Sequence, residues 1–191
     1  MLARRLVGVS LAVVLLGISG CGEGAPSSSG GAPTGRPVVS SPAPESAGSS
    51  STPAPAVPEV LKFSGTTLDG KAFDGATLAA KPTVLWFWAP WCPKCRAQAA
   101  ETAKVAEDYR GRANVVGVAG LDQVDAMRGF VTDQKVDGFP HLSDEEGAIW
   151  KRFEVTEQST YVILDAGGNK VFSGNLVAGD GLADKVAELV G

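Results

Sequence analysis

Two cysteines separated by two residues, Cys92 and Cys95, are the side chains in this sequence best suited to chemistry. They follow an apolar run of strand length that ends at Trp88, and they open a stretch rich in Ala, Glu, Lys and Gln that predicts a helix. The first turn of a helix presents unpaired N–H groups and about half a positive charge, which favours a thiolate over a thiol at Cys92. Cys95 lies one turn further along and can attack a mixed disulfide formed at Cys92. The pair is therefore predicted to be a dithiol that opens and closes reversibly.

The two residues between the cysteines agree with a helix start at this point. Pro93 would occupy the first helical position, where its missing N–H is not needed. Lys94 would lie on the outside of the helix and add a positive charge beside the thiolate, which gives it a tuning role at most.

A metal site is the alternative use of paired cysteines. A closed structural zinc site needs four ligands, whereas the chain has three cysteines and one histidine, His141. Copper(I) held by the two thiolates alone stays open as an alternative. We expect no cofactor and no resident metal at Cys92 and Cys95.

The first twenty residues have the pattern of a signal peptide. Arg4 and Arg5 precede an apolar run over residues 6–18, and Ile-Ser-Gly follows directly before Cys21. The run is shorter than the roughly 20 residues that a membrane-spanning helix needs, which favours cleavage over a permanent transmembrane anchor. The segment resembles the lipobox of bacterial lipoproteins, which implies that Cys21 becomes the first mature residue and carries lipid.

Residues 21–58 predict a tether rather than a domain. They consist mostly of Gly, Ala, Pro, Ser and Thr, contain no aromatic residue, and hold eight of the chain's 12 prolines. Random-coil scaling gives such a segment a reach of roughly 30 to 40 Å. All aromatic residues lie between Phe63 and Phe172, so residues 59–191 are the predicted folding unit. The chain carries 17 basic and 21 acidic side chains and no basic run, which excludes a nucleic-acid-binding surface.

Strands and helices alternate along the folding unit, which predicts an α/β sandwich with a mixed central sheet flanked by helices. A short hairpin around Asp69-Gly70 is expected first, at residues 61–67 and 71–73. The other predicted elements are extended segments at 84–88, 114–119, 141–144, 160–164 and 170–173, and helices at 93–109, 124–136, 149–153 and from Asp180, as cap, to 190.

The motif WAPWCPKC at 88–95, the apolar run before it and VAGLDQV at 118–124 resemble thioredoxin-fold lipoproteins of the TlpA, ResA and DsbE type. The actinobacterial DsbF-like members are the most similar, and the resemblance covers nearly all of residues 59–191. It implies a thioredoxin-like sandwich and an extracytoplasmic, lipid-anchored thiol–disulfide oxidoreductase. Its implied partners are thiols and disulfides of exported proteins and a membrane redox partner that regenerates the active form. It also implies an exposed, attacking Cys92, a buried, resolving Cys95, and a surface shaped by Trp91.

One departure from the family pattern affects the expected substrate cleft, which comprises Trp91, Pro93, Lys94, Gln158 and Ser159. The family has a cis-proline before the strand expected at 160–164, lying against the cysteines, and this sequence has serine there. A cis bond before serine costs about 2.5 to 4 kcal/mol, so we expect either a strained loop or a trans peptide at this position.

The acidic residues of the family are also missing. The most similar relatives carry a glutamate three residues after the second cysteine and a proline soon after, where this sequence has Gln98 and Ala100. The strand position at which thioredoxin keeps a buried acid is Trp86. No carboxylate is therefore identified as a proton acceptor for Cys95, because Glu101 points to another face of the helix and is expected to be solvated.

Other polar residues are weaker candidates. His141 has no motif around it and is expected on the surface or in a turn. The acidic residues 144–146 predict a hydrated loop and helix start rather than a metal site. Asp122 and Gln123 end a strand at the carboxyl edge of the sheet, which gives them a minor role near the cleft.

The direction of electron flow depends on which form the protein stabilises. A stabilised Cys92 thiolate favours the reduced form and makes the couple more oxidising, within a range of about −270 mV for thioredoxin to about −120 mV for DsbA. Lys94 and the missing carboxylates act in the same direction, and the DsbF-like resemblance implies oxidation of thiols in exported proteins. Two alternatives stay open. One is a reductant for cytochrome c maturation or envelope disulfides, and the other is a thioredoxin-fold protein that binds copper or a client without turnover.

Overall fold

The computed structural model of the protein describes residues 56–177 and 181–191, which lie in one compact unit of the chain. The predicted signal peptide, Cys21 and the tether up to residue 55 lie outside the described residues. Among the described residues, none of the helices has both the length and the apolar character needed to cross a bilayer.

The described residues form one mixed sheet with helices on both faces, as the sequence predicts. In the sheet the strands follow the order β2-β1-β5-β4-β3-β6-β7. The strands are β1 (Ser64–Thr67), β2 (Ala72–Asp74), β3 (Thr83–Trp88), β4 (Asn114–Ala119), β5 (His141–Ser143), β6 (Thr160–Leu164) and β7 (Lys170–Asn175). The helices are α1 (Pro93–Asp108), α2 (Val124–Gln134), α3 (Ala148–Arg152) and α4 (Leu182–Val190), with 3₁₀ turns at Glu59–Leu61 and Gly75–Leu78.

Strand β3 is the buried centre of the sheet. It runs parallel to β4, with Trp88 opposite Ala119, and antiparallel to β6, with Phe87 opposite Thr160. The carboxyl end of β3 therefore lies between the carboxyl end of β4 and the beginning of β6. This is the edge at which the chain leaves the sheet and reaches Cys92.

Side chains of β3 alternate between two apolar cores, because successive residues of a strand point to opposite faces. Trp86 and Trp88 join the core formed with α1, α2 and α4, whereas Phe87 joins the core formed with α3 and the 3₁₀ turns. Trp88 stacks on Phe130 of α2 with ring centroids 4.3 Å apart. Burial of each such ring stabilises the fold by about 1.5 to 3 kcal/mol, which holds the end of β3 firmly in place.

The predicted hairpin is confirmed, although β1 begins three residues later than expected. Residues Glu59–Leu61 form a 3₁₀ turn instead, and the Arg152 guanidinium donates hydrogen bonds to the carbonyls of Glu59 and Val60. Gly70 takes a φ of +84° in the hairpin turn, which explains the glycine there.

Helix α4 ends at Val190 as predicted, but its beginning differs from the prediction. The helix starts at Leu182, and Gly181 precedes it with a φ of +87° and no side-chain capping bond. The expected cap, Asp180, lies outside the described residues.

Candidate active site

Cys92 and Cys95 form a disulfide at the beginning of α1, with their Cα atoms 5.3 Å apart. Cys92 is the N-cap residue of the helix, and its sulfur accepts a hydrogen bond from the Cys95 N–H at 3.0 Å. Pro93 takes the first helical position, as predicted, where its missing N–H leaves no carbonyl without a donor. After reduction, the Cys95 N–H would stabilise negative charge on the Cys92 sulfur.

Both sulfur-bearing residues are buried in the disulfide form. Cys92 is 1% exposed and Cys95 is fully buried, so the expectation of an exposed Cys92 is wrong for this form. Both cysteines belong to the buried apolar cluster that includes Trp86 and Trp88 of β3. Trp91, directly before Cys92, is half exposed, and its indole N–H donates to the Leu121 carbonyl at 3.2 Å.

Ser159 begins the loop-to-strand transition into β6, beside the end of β3. Its N–H donates to the Phe87 carbonyl at 2.8 Å, and its φ is +69°. A left-handed φ is a strained conformation for serine, and it is a separate property from the cis or trans state of the Gln158–Ser159 bond, which stays a prediction. The Ser159 hydroxyl is buried and has no hydrogen-bond partner among the described residues.

A surface cavity of about 260 Å³ lies next to the first turn of α1. Its walls come from that turn, from the loop before β6 and from the segment after β7. The lining residues are Lys94, Ala97, Ser159, Asn175, Leu176 and Val177. Two of the predicted cleft residues, Lys94 and Ser159, therefore meet here, while Gln158 is half-buried and lies outside this lining. Trp91 and exposed Pro93 lie outside it too.

Trp86 and Gln98 form a neutral hydrogen-bonded pair in place of the family's acids. The Trp86 indole N–H donates to the Gln98 side-chain oxygen at 3.0 Å. The Gln98 NH₂ group donates to the Ser159 carbonyl at 3.1 Å and to the Leu176 carbonyl at 2.8 Å. Sequence reasoning treated Gln98 only as a missing acid. A polar side chain one turn after Cys95, on the face of the helix that must be buried, was the signal that it needs partners.

His141 is neither on the surface nor in a turn, so that prediction is wrong. It lies in β5 and is 5% exposed, because Gly117 on β4 leaves room for its ring. Its Nδ1 accepts the Trp88 indole N–H at 3.2 Å, and its Nε2–H donates to the Val136 carbonyl at 2.8 Å. Burial lowers the pKa of His141 to about 4, and the Val136 carbonyl and the Asp137 charge oppose this less strongly. The ring is therefore a neutral part of the core, not a base.

The acidic residues 144–146 are not uniformly hydrated. Asp144 is buried, and its carboxylate accepts the Trp150 N–H at 2.8 Å, which fixes the start of α3. Glu145 and Glu146 are exposed, as expected. Among the described residues, no cluster of three or more His, Cys, Asp or Glu side chains could hold a metal ion.

The remaining candidates lie at the rim of the site or away from it. Asp122 and Trp91 line a second cavity of about 280 Å³ on the other side of the helix start, and Gln123 is exposed. Glu101 is half-buried on α1. Burial is the largest cause of the raised pKa of Tyr161, and a hydrogen bond with Thr102 opposes the rise. The charge of Glu101 adds to the raised pKa of Tyr161.

The AhpC/TSA family model matches residues 56–169 of the chain. The soluble secreted antigen MPT53 of Mycobacterium tuberculosis (strain ATCC 25618 / H37Rv) is 42% identical over 139 residues, which cover 71% of this chain and 79% of that protein.

Two solved structures share the fold and much of the sequence. A structure of MTB dsbF in mixed oxidised and reduced forms is 44% identical, with a TM-score of 0.66, over 70% of this chain and 99% of that chain. A secreted Mycobacterium tuberculosis disulfide oxidoreductase homologous to E. coli DsbE is 41% identical, with a TM-score of 0.63, over 69% and 98% of the two chains. These comparisons confirm the thioredoxin-like fold and the DsbF-like resemblance.

Proposed function

The chain belongs to the AhpC/TSA family of thioredoxin-fold proteins and is a thiol–disulfide oxidoreductase, and from this premise we propose that it oxidises thiols of exported proteins through Cys92 and Cys95. The observation that carries the proposal is the position of the disulfide. The Cys92 sulfur caps α1 and already accepts the Cys95 N–H. A donor placed in this way stabilises a thiolate and therefore the reduced form, which makes the disulfide an oxidant.

The proposed reaction transfers two electrons from a substrate dithiol to the disulfide. A substrate thiolate attacks the Cys92 sulfur, the bond between Cys92 and Cys95 breaks, and Cys95 leaves as a thiolate. A second substrate thiolate then attacks the substrate sulfur of this mixed disulfide, and Cys92 leaves as a thiolate. The substrate gains one disulfide, and the protein keeps two electrons as its reduced pair. A membrane redox partner would remove those electrons and restore the disulfide.

The neutral pair behind the disulfide favours the same direction. Reduction of the disulfide leaves Cys95 as a thiolate, and a carboxylate beside it would repel that charge and disfavour the reduced form. The matching positions instead hold Trp86 and Gln98, whose neutral side chains bond to each other. The reduced form is therefore free of this repulsion from these two positions, which favours the oxidising direction.

The proposed location is the outer face of the cytoplasmic membrane. Residues 1–20 would be a cleaved signal peptide, Cys21 the lipidated first residue, residues 21–58 a tether and residues 59–191 the thioredoxin-like domain. Secretion of the relatives supports an extracytoplasmic protein, and the lipobox pattern supports the anchor. Cys21→Ala should move the protein from the membrane fraction to the medium, and an unchanged distribution would contradict lipid anchoring.

Two assays with one matched variant test the proposed activity. The oxidised protein should form disulfides in reduced ribonuclease A and restore its activity, and Cys92→Ser should abolish this effect. Fast reduction of insulin disulfides with no ribonuclease oxidation would instead identify a reductant. Inactivity of the wild-type protein in both assays would identify a binding protein and contradict the proposal.

A further inference from the structure

The side-chain amide of Gln98 connects three separate parts of the site. Gln98 is 1% exposed, and each of its polar atoms has a partner. Its oxygen accepts from Trp86 on β3, and its nitrogen donates to the carbonyls of Ser159 and Leu176. Both N–H groups of the amide are thus used on backbone carbonyls that lie 17 positions apart in the chain.

Those two carbonyls belong to two walls of the 260 Å³ cavity beside the disulfide. Ser159 forms the wall before β6, and Leu176 forms the wall after β7. The third wall, with Lys94 and Ala97, belongs to the same helix as Gln98. One buried amide therefore sets the distance between all three walls.

The wall at Ser159 needs such a restraint. Ser159 takes the strained φ of +69°, which no covalent ring holds and which proline, fixed near −65°, could not adopt. A strained conformation persists only where its surroundings hold it. Two hydrogen bonds hold the backbone of Ser159. Its N–H donates to the Phe87 carbonyl, and its carbonyl accepts from the Gln98 side-chain amide.

We propose that Gln98 is a positioning residue that holds the Ser159 and Leu176 walls against the disulfide for a peptide substrate. This inference rests on the proposed function. Glutamine suits the role and glutamate does not, because two carbonyl oxygens require two N–H donors. An ionised glutamate could accept from Trp86 but would repel both carbonyls.

Two variants test this role through the substrate rather than through the sulfurs. Gln98→Met keeps the size and removes both donors, and Gln98→Glu keeps the acceptor and removes the donors. The rate constants for oxidation of a two-cysteine peptide and of dithiothreitol are measured for each protein, and their ratio is compared with the wild-type ratio. Because dithiothreitol is too small to contact the walls, we expect the ratio to fall about tenfold in both variants at pH 8.

Acid pH provides a rescue that a purely structural role would not produce. A buried glutamate has a raised pKa, and its protonated form regains one donor. The peptide-to-dithiothreitol ratio of Gln98→Glu should therefore recover toward the wild-type ratio between pH 8 and pH 5, while that of Gln98→Met stays low. A ratio that stays at the wild-type value in both variants, or a Gln98→Glu ratio that does not change with pH, would overturn the proposal. Gln98→Glu carries the test alone if Gln98→Met does not fold.

Thr102→Val is the matched control for lost stability. Thr102 is buried one turn further along α1 and bonds to Tyr161 and to the Gln98 backbone, but it does not line the 260 Å³ cavity. Its variant should keep the wild-type ratio, and a tenfold fall there would overturn the role of Gln98.

The hydrogen-exchange rate of the Ser159 N–H tests the restraint by Gln98 without any measurement of activity. The Ser159 N–H should exchange at least tenfold faster in Gln98→Met than in Thr102→Val, and equal exchange would contradict the restraint. This result does not depend on the direction of electron transfer or on activity. Wild-type inactivity with both thiol substrates would refute the proposed function alone.

Discussion

Acidification should destabilise this protein through one core residue, His141. Its ring is neutral in the folded state, with the proton on Nε2, because Nδ1 accepts the Trp88 N–H and Nε2–H donates to Val136. Protonation of Nδ1 would turn that acceptor into a donor facing another donor. Burial accordingly lowers the pKa of His141 from 6.5 to about 4.

The size and pH range of the effect follow from this lowered pKa. As the pH falls, the unfolded state binds the proton first, near pH 6.5, so the stability is complete above that pH and is lost as the pH falls toward 4. A folded-state pKa of about 4 against an ordinary value of 6.5 corresponds to about 3 kcal/mol, of which about three quarters is lost by pH 4.5. Surface carboxylates with lowered pKa values, such as Asp69 and Glu154, contribute only below their ordinary values of 3.8 and 4.5.

Urea unfolding of the oxidised protein at several pH values from 7 to 4.5 measures this effect. Keeping the disulfide closed removes thiol titration from the comparison. His141→Gln should be less stable than the wild-type protein at pH 7, because it loses the ring that packs against Trp88 and Phe139, and its stability should change little down to pH 4.5. An equal pH dependence in both proteins would refute the reasoning, since the loss would then come from other groups.

Three further substitutions test the geometry of the site. Ser159→Pro should lower the free energy of unfolding by about 3 kcal/mol, because proline cannot adopt a φ of +69° and lacks the N–H that bonds to β3; an unchanged urea midpoint would contradict this loop geometry. Gly117→Ala should cost about 1 to 3 kcal/mol in the same assay, since its Cβ would lie 2.1 Å from His141 Nδ1, and wild-type stability would contradict this contact. Cys95→Ser should trap a mixed disulfide between Cys92 and a substrate peptide on a non-reducing gel, while Cys92→Ser should trap none; the reverse pattern would exchange the roles of the two sulfurs.

The architecture could be predicted from the sequence because its signals are local. The strands at 114–119 and 160–164 agree with the structure at both ends, since continuous apolar runs of that length are typical of buried strands. The cysteine pair was placed correctly at a helix start for a similar reason. Pro93 and the strand before it mark the beginning of α1 within a few residues.

The surroundings of the cysteines could not be predicted, because they depend on contacts between distant parts of the chain. His141 is buried only because Gly117 on a neighbouring strand leaves a space and Trp88 supplies a donor. Gln98 likewise looks like a lost acid until Ser159 and the segment after β7 are brought to its amide. Neither set of contacts is marked in the sequence by a periodic pattern or a short motif.

The oxidising role rests on the disulfide at the start of α1, and the reduction potential of the Cys92–Cys95 couple decides whether it is an oxidant. Equilibration with glutathione buffers, followed by separation of the reduced and oxidised protein, gives this potential. We expect a value above about −250 mV, toward the −120 mV or so of DsbA. A value below about −250 mV, near that of thioredoxin, would contradict the oxidising role.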